Sequence, residues 1–314
     1  MILELGPDTK TGMMRKLRLT KEPYLTEGVS AFLLGNKGAG KSHALAVLAE
    51  EAWRNRLPFI YYDVNGDACS LRELGDDVII LGSRSNAEEI RKSDYQLKDI
   101  HNDINGYIKL CVDKGFSLVV DLSAIEDPDN RPFFLADMIK AHYIISGYIR
   151  KPVMVLIDEA HLFAPQVGAI KAQKESLRAM NQMMSDGRKR GIISISATQQ
   201  ITQINKSFIA LMNLRLFGKI THHAHYKYIQ EYLPFKKVPI GRKPEKILPE
   251  DMERLKREFI FCLADGNRTD YSKIRFKNRI TEDLGKTPVI HSRTGERPSL
   301  KQLSLFSFAE KVDS

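Results

Sequence analysis

Short apolar runs rich in β-branched and aromatic residues alternate along this chain with longer segments whose apolar positions recur at helical spacing. The runs fall at 29–34, 57–63, 78–81, 115–121, 153–157 and 192–197, and they read as strands. Between them, residues 43–53, 132–148 and 171–185 read as helices, with Phe134, Met138, Ala141 and Ile145 marking the apolar face of the second. Strand alternating with helix predicts an α/β fold on a mainly parallel, doubly wound sheet. The charged stretch 83–103 is expected to be an exposed helix. Residues 213–220 alternate like a strand at the sheet edge, and 258–264 with 271–276 read as a β-hairpin around the Asp265-Gly266-Asn267 turn. Three regions result: an N-terminal arm or lead-in strand over 1–27 with a short strand at 14–19, one large domain over 28–280, and a polar, flexible tail over 281–314. No segment repeats at a fixed period.

One loop in this pattern carries specific chemistry. Gly35, Asn36, Lys37, Gly38, Ala39, Gly40, Lys41 and Ser42 spell G-x-x-x-x-G-K-S between the first predicted strand and helix, the context a phosphate loop requires. Glycines let backbone N–H groups wrap a polyphosphate, and the helix N-terminus adds partial positive charge. Lys41 is expected to reach the β- and γ-phosphates of ATP, and Ser42 to place its hydroxyl on Mg²⁺. His43 follows directly and is counted with the nucleotide-binding residues. It also excludes a dinucleotide loop, because G-x-G-x-x-G would need glycine at that position.

A second half-site lies where the 153–157 strand ends in Asp158 and Glu159. Paired carboxylates at the C-terminal end of a parallel strand fall in the ligand crevice of such a sheet. Asp158 is expected in the Mg²⁺ shell, and Glu159 is expected to polarise the attacking water as general base. Gln199, at the end of the neighbouring predicted strand, is placed to sense the γ-phosphate or orient that water.

Charge adds a direction. Of 314 residues, 43% are hydrophobic and 28% charged, which suits a large globular core and not a disordered or fibrous chain. Residues 1–204 balance basic against acidic side chains one for one, so the net charge of +9 falls entirely in residues 205–314. A neutral nucleotide-binding core followed by a basic third implies that this third faces a polyanion. No apolar run approaches membrane-spanning length, and the N-terminus lacks a signal-peptide pattern, so a soluble, cytoplasmic protein with no membrane partner is expected. Cys69, Cys111 and Cys262 are too widely spaced for a disulfide framework or zinc site and read as buried thiols. The histidines 222, 223 and 225 have no Cys, Asp or Glu at partner spacing and read as ordinary polar residues.

Taken together, the chain resembles the HerA/FtsK superfamily of P-loop motor ATPases, nearer the HerA branch. The resemblance covers about residues 28–220 and rests on the loop at 35–42, on Asp63 with Gly66, and on Asp121-Leu122-Ser123. It rests further on Asp158-Glu159-Ala160-His161 with Phe163 and Pro165, Gly187-Arg188-Lys189, and Ala197-Thr198-Gln199. It implies a RecA-like three-layer sandwich, a homo-hexameric ring and ATP-driven translocation or packaging of double-stranded DNA. In such motors an arginine of one subunit neutralises charge on the γ-phosphoryl group bound by its neighbour, and Arg188 and Arg190 are the candidates. The chain departs from HerA in having fewer than about 35 residues before the phosphate loop, too few for the family's N-terminal β-barrel. It also lacks the membrane segments and winged-helix reader of FtsK.

Within a ring, the basic, proline-punctuated loop 234–249 is expected to touch DNA phosphates through Lys236, Lys237, Arg242 and Lys243. In the tail, Gln302, Leu303, Leu305, Phe306 and Phe308 resemble a short sliding-clamp-binding peptide, whose apolar anchors would order on a partner. Two other functions remain open: a nucleotide-dependent switch or scaffold organising partner proteins in a defence or partition complex, and a motor acting on single-stranded nucleic acid or on protein.

Overall fold

The computed structural model describes residues 1–21, 24, 28–83, 92–97, 102–166, 170–236, 243, 245–263 and 271–285. The N-terminal half runs β1 (Ile2–Pro7), β2 (Met14–Arg18), β3 (Ser30–Leu34), α1 (Lys41–Arg54), β4 (Phe59–Asp63), β5 (Val78–Gly82), β6 (Tyr95–Gln96), α2 (Ile104–Lys114), β7 (Ser117–Asp121) and α3 (Arg131–Ile149). The remainder runs β8 (Val153–Ile157), α4 (Lys171–Asp186), β9 (Ile192–Thr198), α5 (Lys206–Ala210), β10 (Leu214–Phe217), α6 (His223–Ile229), β11 (Phe235–Lys236), β12 (Glu245–Lys246), α7 (Pro249–Glu253), β13 (Phe259–Leu263) and β14 (Tyr271–Ile274). These elements belong to one compact unit, Met1–Leu284. A second unit spans Gly285–Ser314, so Gln302, Leu303, Leu305, Phe306 and Phe308 lie outside the described residues.

Ten strands form one sheet in the order β14, β13, β10, β3, β9, β8, β4, β7, β5, β6. From β10 to β6 all neighbours are parallel, while β13 and β14 add an antiparallel hairpin at one edge. The apolar runs are continuous because the central strands are covered on both faces. Phe32 and Leu34 of β3 pack with Phe134, Met138 and Met180 of α3 and α4. Ala31 and Leu33, one residue out of phase, pack with Ala44 and Leu48 of α1. The predicted three-layer sandwich is the observed architecture.

Three local expectations need correction. Strand β10 is interior and not at the edge, because the hairpin pairs on its far side. Within the stretch 83–103, Tyr95 and Gln96 form β6, which pairs with β5, residues 84–91 and 98–101 lie outside the described residues, and a helix follows at α2. Asp103 caps that helix by accepting from Gly106 N at 3.0 Å, and Gly115, at φ 85°, ends it in the left-handed conformation. The N-terminal segment carries a second strand besides the one expected: β1 and β2 form an antiparallel ribbon with Leu3, Leu5 and Leu17 buried against α1. Its free edge accepts from Arg275 N at Pro7 O (3.1 Å) and from Lys277 N at Leu5 O (2.9 Å).

Candidate active site

Parallel packing carries the C-terminal ends of β3, β9, β8 and β4 to one rim of the sheet, and the predicted chemistry collects there. The loop 35–40 leaves β3 and turns into α1 through Gly38 (φ 79°) and Gly40 (φ 95°), angles that glycine adopts without strain. Lys41 is nearly buried, and its Nζ donates to Gly35 O (2.9 Å) and Asn36 O (3.1 Å), folded back on the loop. Burial pulls the Lys41 ammonium below its ordinary pKa, and the facing Glu159 and Asp158 charges resist that pull.

Strand β9 lies between β3 and β8, yet Ser42 reaches across it: Ser42 Oγ donates to Asp158 Oδ2 at 3.1 Å. The other oxygen, Asp158 Oδ1, accepts from Glu159 N at 2.9 Å. Burial pushes Asp158 up to about 7, with the negative charges of Glu159 and Asp63 adding to it. Asp63, at the end of β4, is raised to about 6, chiefly by burial, against N–H groups of Ala68 (2.7 Å) and Asn65 (2.9 Å) that favour its anion. Crowded, desolvated carboxylates beside a hydroxyl are an oxygen donor set complementary to a divalent cation, so Ser42 and Asp158 fit the expected Mg²⁺. Among the described residues, no group of three or more His, Cys, Asp or Glu side chains is placed to hold a metal by itself.

Glu159 is held in the left-handed region (φ 46°, ψ 48°), a conformation that costs a non-glycine residue about 1 kcal/mol or more. Its Oε2 accepts from Gln199 N at 3.2 Å and lies 3.3 Å from His161 Nδ1, which is 2.9 Å from Thr198 Oγ1. His161 had no role on sequence grounds, although it stands in the Asp-Glu-Ala-His run that signals this site.

The other expected residues fall elsewhere. Gln199 is half-buried and, with Gln200 and Thr202, forms one wall of a cleft of about 440 Å³; Asn36, Lys37, His222 and His225 line the rest. The ring of His43 binds Lys277 O through Nε2 at 2.9 Å. Arg188 is exposed, its stem against Gly28, at the opposite rim of the sheet. The Arg190 guanidinium lies 3.7 Å from the centroid of the Tyr143 ring and donates to Tyr143 O at 3.0 Å, so it is engaged within its own subunit. Lys236 is paired with Asp251 at 2.7 Å, Lys243 is exposed, and Lys237 and Arg242 lie outside the described residues. The histidines at 223 and 225 are on a helix, α6, and the His222 and His225 rings are 5.4 Å apart. Cys69, Cys111 and Cys262 are buried free thiols. Among the described residues no helix is long and apolar enough to cross a membrane.

No family model matches the chain. In sequence it is similar to the DNA double-strand break repair helicase HerA of Pyrococcus furiosus, 27% identical over 78 residues, which cover 25% of this chain and 13% of that protein. It is also similar to the probable helicase MJECL08 of Methanocaldococcus jannaschii, 31% identical over 83 residues, covering 26% of this chain and 15% of that protein. These matches span well under a fifth of either relative's length. In fold it is similar to the plasmid coupling protein TrwB in complex with ADP and Mg²⁺, with a TM-score of 0.59 at 13% identity over 83% of this chain and 88% of that one. The sequence likeness to these helicases is confined to about a quarter of the chain, and the likeness to TrwB is one of fold.

Proposed function

We propose that this chain is an ATP-hydrolysing motor that assembles with copies of itself into a ring and moves or packages duplex DNA. The observation that carries the hydrolytic part is the 3.1 Å contact between Ser42 of the phosphate loop and Asp158 of β8, with Glu159 next in sequence. In this reading the backbone N–H groups of residues 35–42 cradle the triphosphate, and Lys41 exchanges its loop carbonyls for the β- and γ-phosphates. Ser42 and Asp158 hold Mg²⁺, which supplies charge neutralisation on the phosphates. Glu159 Oε2 is anchored by Gln199 N, which leaves Oε1 to accept the proton of the attacking water. The side chain of Gln199 orients that water, and Arg188 serves the site of a neighbouring subunit.

Duplex DNA is supported by the sequence likeness to HerA helicases and by the net +9 confined to residues 205–314. The test is ATP turnover alone, with duplex DNA and with single-stranded DNA, for wild type and Glu159→Gln. Duplex DNA is expected to stimulate wild type, and the variant should lose at least about a hundredfold in turnover. Absence of stimulation by either nucleic acid would remove the translocase reading, and turnover independent of Glu159 would remove the general base.

A further inference from the structure

Outside the amide cradle, but sharing the loop tip with it, the cleft of about 440 Å³ opens between the phosphate loop, the turn after β9 and the start of α6. Its lining has one chemical character. Lys37 contributes an ammonium, Asn36, Gln199 and Gln200 contribute amides, Thr202 a hydroxyl, and His222 and His225 imidazoles. No carboxylate lines it. With Ala224 completing the lining, the cleft offers several donors and the Lys37 ammonium and no competing carboxylate, a setting that admits an anion.

The cleft is also built into the loop. Asn36 N donates to Lys219 O at 2.8 Å, and Asn36 Nδ2 donates to Thr221 Oγ1, the residue before His222.

We propose that this cleft binds inorganic phosphate, receiving the orthophosphate released from the nucleotide site before it leaves the protein. The inference rests on the hydrolytic reading above. Hydrolysis adds water to the γ-phosphorus, breaks its bond to the β-γ bridging oxygen, and yields ADP and orthophosphate. Gln199, to which the hydrolytic reading gives the attacking water, lines the cleft together with Asn36 and Lys37 of the loop, so on that reading the cleft adjoins the γ-phosphate. Thr202 and His225 are the residues that discriminate: neither belongs to the phosphate loop or to the carboxylate pair, and both face the cleft. Their hydrogen bonds would be made to the free anion.

Calorimetric titration of orthophosphate into the full chain saturated with ADP and Mg²⁺ reads the cleft without requiring turnover. Wild type is expected to bind phosphate, and His225→Leu and Thr202→Val should each weaken it about tenfold, the loss of one hydrogen bond to a charged group. ADP affinity should stay within about twofold of wild type, and a cooperative thermal transition confirms that each variant is folded. Absence of phosphate binding to wild type, or equal binding by folded variants, overturns the proposal. Equal losses of ADP and phosphate affinity overturn it too, because they assign these residues to the nucleotide. Failure of the hydrolytic reading shows separately, as wild-type protein that does not turn over ATP.

Discussion

At the scale of single residues, the polar groups the fold buries sort by whether the rim of the sheet gives them a use. Lys41, Asp63, Asp158 and Glu159 are all buried, and all stand together where a metal and a polyphosphate would neutralise them. His142, on α3, is buried too, but neither ring nitrogen has a partner among the described residues. Burial pushes its imidazole down to about 4 from the ordinary 6.5, because the apolar layer around it disfavours the cation. The folded chain therefore keeps His142 neutral at pH values where the unfolded chain already takes up a proton. Stability from this residue is fully present above about pH 6.5 and is lost as the pH falls toward 4, a change on the order of 3 kcal/mol. Urea denaturation at pH 7.5 and pH 5 should show His142→Leu losing less stability than wild type over that interval. Equal losses would mean that the imidazole is hydrated or paired in the folded protein.

Between elements, the connection that matters most to the site joins the N-terminal ribbon and the segment after β14 to the helix behind the phosphate loop. Glu50 of α1 is fully buried and accepts from Ile280 N (3.0 Å), Thr281 N (3.1 Å) and Thr281 Oγ1 (2.8 Å). Its neighbour Glu51 pairs with Lys277 and accepts from Glu4 N at 2.8 Å. Removing the buried acceptor strands three donors, so Glu50→Ala should cost about 3 kcal/mol or more by urea denaturation. It should also open the chain after β14 to limited proteolysis; a variant as stable and as resistant as wild type would refute the clasp. None of this was legible along the chain, where nothing local to Glu50 and Glu51 points to the segment after β14. Their partners stand 226 to 231 residues away. The strands and helices of the sheet were legible because each apolar run is buried on both faces and so announces itself locally. Helix α2 was missed although Asp103 caps its start and Gly115 ends it. Ser42, Asp158 and Glu159 were legible from motif spacing, whereas the role of His161 as a neighbour of the Glu159 carboxylate needed the left-handed backbone at Glu159 to be seen.

For the molecule as a whole, the distance between the two rims of the sheet decides how Arg188 can act. Strand β9 runs seven residues, from the turn that holds Arg188 to Thr198 beside the phosphate loop. At about 3.3 Å per residue that is roughly 20 Å, well beyond the reach of an arginine side chain. If Arg188 meets a γ-phosphate, it meets one bound by another copy of the chain, and hydrolysis becomes a property of an interface. The same distance applies to Arg190, whose guanidinium is stacked on Tyr143 and bonded to the backbone there. Arg188→Ala and Lys41→Ala should each abolish DNA-stimulated turnover in a pure preparation. Mixed in equal amounts, they regenerate an intact site wherever a subunit with Lys41 faces one with Arg188, which random assembly provides at about one quarter of interfaces. Recovery near a quarter of wild-type turnover is the expected outcome. Full activity of Arg188→Ala alone would remove the residue from the reaction. Silence of the mixture, with assembly verified by sedimentation, would refute action in trans, whereas failure of Arg188→Ala to assemble would make Arg188 an assembly residue.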